Sequence, residues 1–82
     1  MQLTIRLFGP EAMLANAGEL VVPVENFPIT CAALRRRVAE REPRLADSLR
    51  TARFAVNHEF ASDELQVRPG DEVALIGSVS GG

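Results

Sequence analysis

The sequence predicts an α+β fold in which a mixed sheet of four to five strands curls over one main helix. Two apolar segments with strand periodicity lie at opposite ends of the 82-residue chain, and one amphipathic helix with a capping residue lies between them. We expect the two terminal strands to pair side by side in the middle of the sheet. Residues 1–82 are interpreted as one domain, because the chain has the length of a single small core and contains no linker or repeat.

The first two strands are predicted to form an antiparallel hairpin. Residues 2–8 alternate polar and apolar side chains as far as Leu7, which indicates a half-buried strand that ends at Gly9-Pro10. Residues 19–24 indicate the second strand, with Pro23 at an edge or a bulge. The segment between them is predicted to be a longish loop.

The main helix is predicted to begin after Thr30, whose hydroxyl can accept a hydrogen bond from a backbone N–H of the first turn. Apolar side chains recur along residues 31–42 at the spacing of one helical face, and Pro43 ends the helix. The apolar face consists of Cys31, Leu34 and Val38.

The second half of the chain indicates shorter strands. A third strand is predicted at residues 53–57, and a further short strand begins near Phe60 or Leu65. Residues 68–71, with the sequence Arg-Pro-Gly-Asp, indicate a turn, and residues 72–76 indicate the last strand.

Composition argues against several functional classes. The formal net charge of −2 and the pI of about 5.3 argue against nucleic acid as the main partner. A single cysteine forms no internal disulfide, which fits a reducing compartment. No basic leader opens the chain and no apolar run approaches the roughly 20 residues of a membrane span, so we expect a cytoplasmic protein.

The side chains do not form a self-sufficient catalyst. His58 is expected in an exposed turn, where one imidazole makes no metal site. Cys31 is expected to be a buried, inert thiol, and a reactive thiol at the helix start is the alternative. The arginines at positions 35–37 spread around the helix and are expected to face water, with pairing to an acidic partner as the alternative. We therefore expect no bound cofactor, no metal and no catalytic site in this chain.

Strand parity predicts an apolar binding surface on the outer face of the sheet. The inward side chains of the first and last strands leave Phe8 and Ile76 on the outer face, and Phe60 can join them from a nearby turn. A contiguous apolar patch on a small acidic protein marks a surface for a partner. The alternative is that loops cover these residues, or that parity fails at the strand ends.

The last two residues, Gly81 and Gly82, indicate a reactive carboxyl terminus. Glycine has no Cβ, so this segment is thin enough to enter a narrow site and place the Gly82 carboxylate beside another enzyme's reactants. We predict a flexible tail over about residues 77–82. A frayed terminus without a role is the alternative.

Together these features resemble the β-grasp sulfur carriers, which are relatives of ubiquitin, and among them the small subunits of molybdopterin synthase. The resemblance covers nearly the whole chain: Leu-Phe-Gly near residue 8, a helix that ends in Glu-Pro, Ala-Val-Asn at 55–57, and the closing sequence PGDEVALIGSVSGG. The family often carries a Pro-Pro pair before its closing residues, whereas this chain has Gly77-Ser78. The resemblance implies a ubiquitin-like β-grasp fold.

The resemblance also implies a mechanism and partners. An adenylating enzyme similar to the ubiquitin-activating type uses ATP to convert the Gly82 carboxylate to an acyl-adenylate, and a persulfide donor converts it to a thiocarboxylate. Gly81 gives the tail access to these sites. The large subunit of molybdopterin synthase then receives the tail within a heterotetramer, and sulfur passes to a pterin precursor of the molybdenum cofactor. The implied contacts to the large subunit are Phe8, Phe60, Ile76 and Val79.

Three alternatives stay open on the sequence alone. The same sulfur chemistry serves thiamine or cysteine biosynthesis. A ubiquitin-like modifier would instead join Gly82 to a lysine of a target protein. A plain interaction domain would make no use of the closing glycines.

Overall fold

The order of helices and strands agrees with the predicted α+β class. The computed structural model describes residues 1–77. In chain order the elements are β1 (Gln2–Leu7), α1 (Gly9–Ala15), β2 (Glu19–Pro23), β3 (Ile29–Thr30), α2 (Cys31–Arg41), β4 (Arg53–Val56), β5 (Glu59–Phe60), β6 (Gln66–Val67) and β7 (Val73–Ile76). Two 3₁₀ turns, Pro43–Leu45 and Ser48–Arg50, connect α2 to β4.

The main sheet has five strands in the order β2-β1-β7-β4-β5. The first and last strands, β1 and β7, pair in parallel at its centre, which confirms the prediction from the sequence. The other neighbours are antiparallel, so the sheet is mixed. A second, two-stranded sheet joins β3 to β6.

One predicted loop is wrong. Residues 9–15, expected to lie in the connection between the first two strands, form the short helix α1. Gly9-Pro10 ends β1 as predicted, but proline is also favoured in the first turn of a helix, where its missing N–H costs nothing. Asn16 closes α1 in the left-handed conformation, with φ of 54°.

Helix α2 begins and ends near the predicted residues. The Oγ1 atom of Thr30 accepts a hydrogen bond from the backbone N–H of Ala33 at 3.1 Å, which confirms the predicted cap. The helix ends at Arg41, two residues before Pro43. Its predicted apolar face is buried, with exposed fractions of 1% or less at Cys31, Leu34 and Val38.

The core lies between α2 and the inner face of the main sheet. Phe54 on β4 is its largest fully buried side chain. The inward positions of β1 and β7 are also buried, as the alternation predicts: Leu3, Ile5, Leu7, Val73 and Leu75.

Neither helix of residues 1–77 combines the length and apolar character that a membrane span requires.

The arginines at positions 35–37 were expected to face water. Arg35 instead makes hydrogen bonds within the domain. Its guanidinium donates hydrogen bonds to the backbone carbonyls of Leu49 and Ala52, the latter at 2.7 Å. It also lies 5.6 Å from the ring centroid of Phe54. Arg35 therefore attaches the segment before β4 to α2, whereas Arg36 is exposed.

We expect Arg35→Ala to lower the free energy of unfolding by about 2–3 kcal/mol, because charged donors to two backbone carbonyls are lost. Arg36→Ala is the matched control and should change stability by less than about 0.5 kcal/mol. Urea unfolding of both variants measures the difference. Equal losses in the two variants would contradict the role of Arg35.

Candidate functional site

A groove lies on the outer face of the main sheet, opposite α2. It has a volume of about 330 Å³. We call it the outer groove; its lining residues are Arg6, Phe8, Ala55, His58, Phe60, Glu72, Val73, Ala74 and Ile76. The sheet itself forms its floor, since β1, β7, β4 and β5 all contribute residues.

The apolar patch predicted from strand parity is present in this groove. Leu7 pairs with Leu75 across the two parallel strands, so the next residues, Phe8 and Ile76, follow side by side. The exposed fractions are 48% for Phe8 and 59% for Phe60, while Ile76 is half-buried. No loop of residues 1–77 covers the two aromatic rings, so they are available to a partner.

Two arginines flank the aromatic rings; strand parity places Arg6 on the outer face with Phe8, but neither arginine was predicted as a site residue. The guanidinium carbon of Arg6 lies 5.8 Å from the ring centroid of Phe8, and that of Arg53 lies 4.6 Å from the centroid of Phe60. Each pair is within the range of a cation–π contact. The signal for Arg6 was in the sequence, because residues two apart in an extended chain share a face. The signal for Arg53 was absent, because its contact depends on the β4–β5 pairing.

The outer groove also brings a histidine and a carboxylate into contact. The Nε2 atom of His58 lies 3.1 Å from Oε2 of Glu72, and both side chains are largely exposed. The expectation of an exposed turn histidine is therefore confirmed. Its place in the groove lining was not predicted, because it follows from the tight turn between β4 and β5.

Asn57 fixes that turn against the start of β7. Asn57 and His58 both have positive φ, 51° and 71°, which is the backbone of a two-residue hairpin turn. Oδ1 of Asn57 accepts a hydrogen bond from the backbone N–H of Glu72 at 3.0 Å, and Nδ2 donates to Asp71 at 3.0 Å. Sequence reasoning placed Asn57 at the end of a strand and missed this role, although asparagine is favoured at positive φ.

Asp71 completes this junction. Its carboxylate accepts the backbone N–H of Arg68 at 2.8 Å as well as the Asn57 amide. Those two hydrogen bonds, the backbone one foremost, hold the pKa of Asp71 below its usual value. The predicted turn at 68–71 is thus present, and it sets the position at which β7 begins.

We expect Asn57→Gly to lower the melting temperature by roughly 4–8 °C, because two exposed hydrogen bonds worth about 0.5 kcal/mol each are lost from a domain of this size. Asn57→Ala should lower it further, because alanine disfavours the left-handed backbone that glycine tolerates. Thermal unfolding followed by circular dichroism tests the order of the two variants. An alanine variant as stable as the glycine variant would show that the turn relaxes to another geometry.

The start of the predicted tail is at Gly77, the last described residue. It directly follows β7, and the carboxylate of Glu11 lies against it. Three further residues singled out by the sequence, Val79, Gly81 and Gly82, lie outside the described residues. The structure thus brings Phe8, Phe60 and Ile76 together in the outer groove, and Ile76 is the residue directly before the predicted tail.

Cys31 does not contribute to the outer groove. Its exposed fraction is 1%. Burial, with a smaller contribution from the Asp63 carboxylate, raises the pKa of the thiol above its usual value. The prediction of a buried thiol is therefore confirmed. Within residues 1–77 there is also no group of three or more His, Cys, Asp or Glu side chains placed to hold a metal ion.

Solved structures share this fold along their whole length. SAMP1 from Haloferax volcanii is 24% identical, with 100% of each chain covered and a TM-score of 0.80. A candidate molybdopterin converting factor subunit 1 from Pyrococcus furiosus is 16% identical, with 96% of this chain and 99% of that chain covered and a TM-score of 0.80. In a complex of subunits 1 and 2 of the molybdopterin converting factor from Helicobacter pylori, one chain is 23% identical, with 100% of both chains covered and a TM-score of 0.67.

These similarities and the sheet topology define the class: the chain is a ubiquitin-like β-grasp protein. The sequence profile of the ThiS family matches residues 5–82. The chain therefore belongs to the ThiS family of ubiquitin-like sulfur carriers. No curated protein sequence matches it significantly.

Proposed function

We propose that this protein carries sulfur on the carboxyl group of Gly82 in the cytoplasm, as the small subunit of a molybdopterin synthase, and donates it to a pterin precursor. Membership of the ThiS family supports the carrier chemistry. The fold is similar to that of molybdopterin converting factor subunit 1, and one of the similar structures is a complex of subunits 1 and 2. This similarity supports the assignment to molybdopterin synthesis. The body of the domain supplies recognition, and its partners supply the catalytic groups.

The observation that carries the proposal is the position of the outer groove. Ile76 lines the groove, and Gly77 is the next residue along the chain. A partner that binds Phe8 and Phe60 also contacts Ile76. The tail, which begins at Gly77, therefore starts directly beside that partner. Binding at the groove raises the effective concentration of the tail at the partner's site, because the second contact becomes intramolecular.

The chemistry requires an activated carboxyl group. A carboxylate is a poor electrophile, so an oxygen of Gly82 first attacks the α-phosphorus of ATP in the adenylating enzyme and pyrophosphate leaves. The terminal sulfur of a donor persulfide then attacks the acyl carbon and AMP leaves. A second thiol cleaves the resulting S–S bond, which forms a disulfide and releases the thiocarboxylate. The soft sulfur of that group is the nucleophile that the large subunit uses.

A second candidate function is protein modification. It is favoured by one observation, the likeness in fold to SAMP1, another structure of which is described as small archaeal modifier protein 1. In that case an amine of a target lysine attacks the activated carboxyl group of Gly82 and forms an amide. The same groove would then bind the activating enzyme.

Intact-protein mass spectrometry separates these functions. The chain is incubated with an adenylating enzyme of this family, ATP and a persulfide donor. Replacement of one oxygen by one sulfur is expected for a carrier, whereas covalent adducts on other proteins are expected for a modifier. A variant with one residue added after Gly82 is the control and should do neither, because its carboxyl group is displaced. Sulfur transfer to the extended variant would refute the mechanism.

The outer groove is tested by Phe8→Asp. We expect at least about a tenfold weaker binding of the large subunit, since an exposed aromatic anchor is replaced by a charge. The melting temperature should change little because Phe8 is half-exposed. Leu65→Asp, an apolar residue of similar exposure outside the groove, is the matched control. Calorimetric titration measures both, and equal affinities for the two variants would place the interface elsewhere.

A further inference from the structure

Glu11 is the only charged residue that is buried within the described part of the chain, residues 1–77. Its exposed fraction is 5%. It lies in the first turn of α1, on the side of the domain where β7 ends. Glutamate is rarely buried to this degree, so its position calls for a specific structural reason. Neither the outer groove nor the core accounts for it, because its carboxyl group lies at Gly77.

The carboxylate of Glu11 fills the space that a side chain at position 77 would occupy. A Cβ placed on Gly77 would lie 2.6 Å from Oε2 and 2.7 Å from Cδ of Glu11. Cβ atoms essentially never lie within 3.0 Å of an atom of a residue distant in the chain. Position 77 therefore requires a residue without a Cβ for as long as Glu11 keeps this conformation.

The contact lies where the strand pairing of β7 stops. Ile76 is the last residue of β7 with a partner on β4, namely Arg53, and pairing with β1 reaches Leu75. Glu11 thus makes a packing contact at the first position that the sheet no longer fixes. Residues that a sheet does not hold lose more conformational entropy when a partner orders them.

We propose that Glu11 is a positioning residue, whose buried carboxyl group sets the direction in which the backbone leaves β7 at Gly77. The proposal rests on the proposed function, in which Gly82 is the reacting residue. It also gives a physical reason for glycine at position 77, because the Cβ of any other residue would overlap the same carboxylate.

The expected kinetic effect is on binding rather than on chemistry. A tail that already leaves the sheet in the productive direction binds the adenylating enzyme with less ordering, so loss of the contact reduces the competent fraction of molecules. We expect Glu11→Ala to raise KM for this chain about tenfold, the effect of freeing roughly one backbone residue, with kcat unchanged. Glu11→Gln keeps the shape of the side chain and should therefore have the same KM as the wild-type chain.

The first test uses the free protein and is independent of the proposed function. In ¹⁵N relaxation, Glu11→Ala should lower the order parameter of the Gly77 amide from about 0.85 to below about 0.6. Glu11→Gln should retain the higher value. Glu64→Ala, which removes an exposed carboxylate, is the control and should leave Gly77 unchanged.

The second test is a mutant cycle in the adenylation assay. Gly77→Ala should raise KM by a similar factor, because its Cβ displaces the Glu11 carboxylate. The double variant Glu11→Ala/Gly77→Ala should be no worse than either single variant, since both changes disrupt one contact. Should Glu11→Ala fail to fold, Gly77→Ala tests the same contact from a half-buried position.

The outcomes separate the two proposals. If the wild-type chain is never adenylated, the proposed function fails, while the relaxation data still decide whether Glu11 orders Gly77. A wild-type chain that reacts, with KM unchanged in both single variants, overturns the role of Glu11. A lower melting temperature with unchanged KM below the unfolding transition would likewise show that Glu11 only stabilises the fold.

Discussion

The structure depends on the parallel pairing of β1 with β7. These strands lie at opposite ends of the sequence. Their hydrogen bonds bring the two ends of the chain together in the middle of the sheet. The inward side chains of the pair supply much of the core, and α2 packs over them. The outward side chains at the same end of the pair, Phe8 and Ile76, supply the outer groove. One pairing thus contributes to both the core of the domain and the position of the outer groove.

The outer groove combines an apolar floor with a charged rim. Arg6 and Arg53 lie over the two exposed rings, while the side chains of His58 and Glu72 are in contact. An apolar side chain of a partner can displace water from the rings, and carboxylates of the partner can reach the two guanidinium groups. Such a rim contributes more to orientation and association rate than to affinity. The arrangement therefore suits rapid and oriented association of a partner.

Strand parity was sufficient to place Phe8 and Ile76 on the outer face, and capping chemistry was sufficient to predict the Thr30 cap. These are local or period-two signals, which need no knowledge of distant contacts. The central pairing was predicted separately, from the apolar character of the two terminal strands, and Phe60 was placed in the patch from its nearby turn. Helix α1 was missed because Gly9-Pro10 both ends a strand and begins a helix. Arg35, Asn57 and Glu11 were missed for a different reason. Each acts on a residue far along the chain, and only the folded topology brings the two together.

The position of β7 between β1 and β4 has a mechanical consequence. A pull on the chain beyond Gly77 acts along a strand that is hydrogen-bonded on both edges. The bonds on the two sides share the load in shear and must rupture together, instead of opening one after another as they would in a strand peeled from an edge. Tension applied at this end of the described chain therefore does not peel β7 from the domain one hydrogen bond at a time.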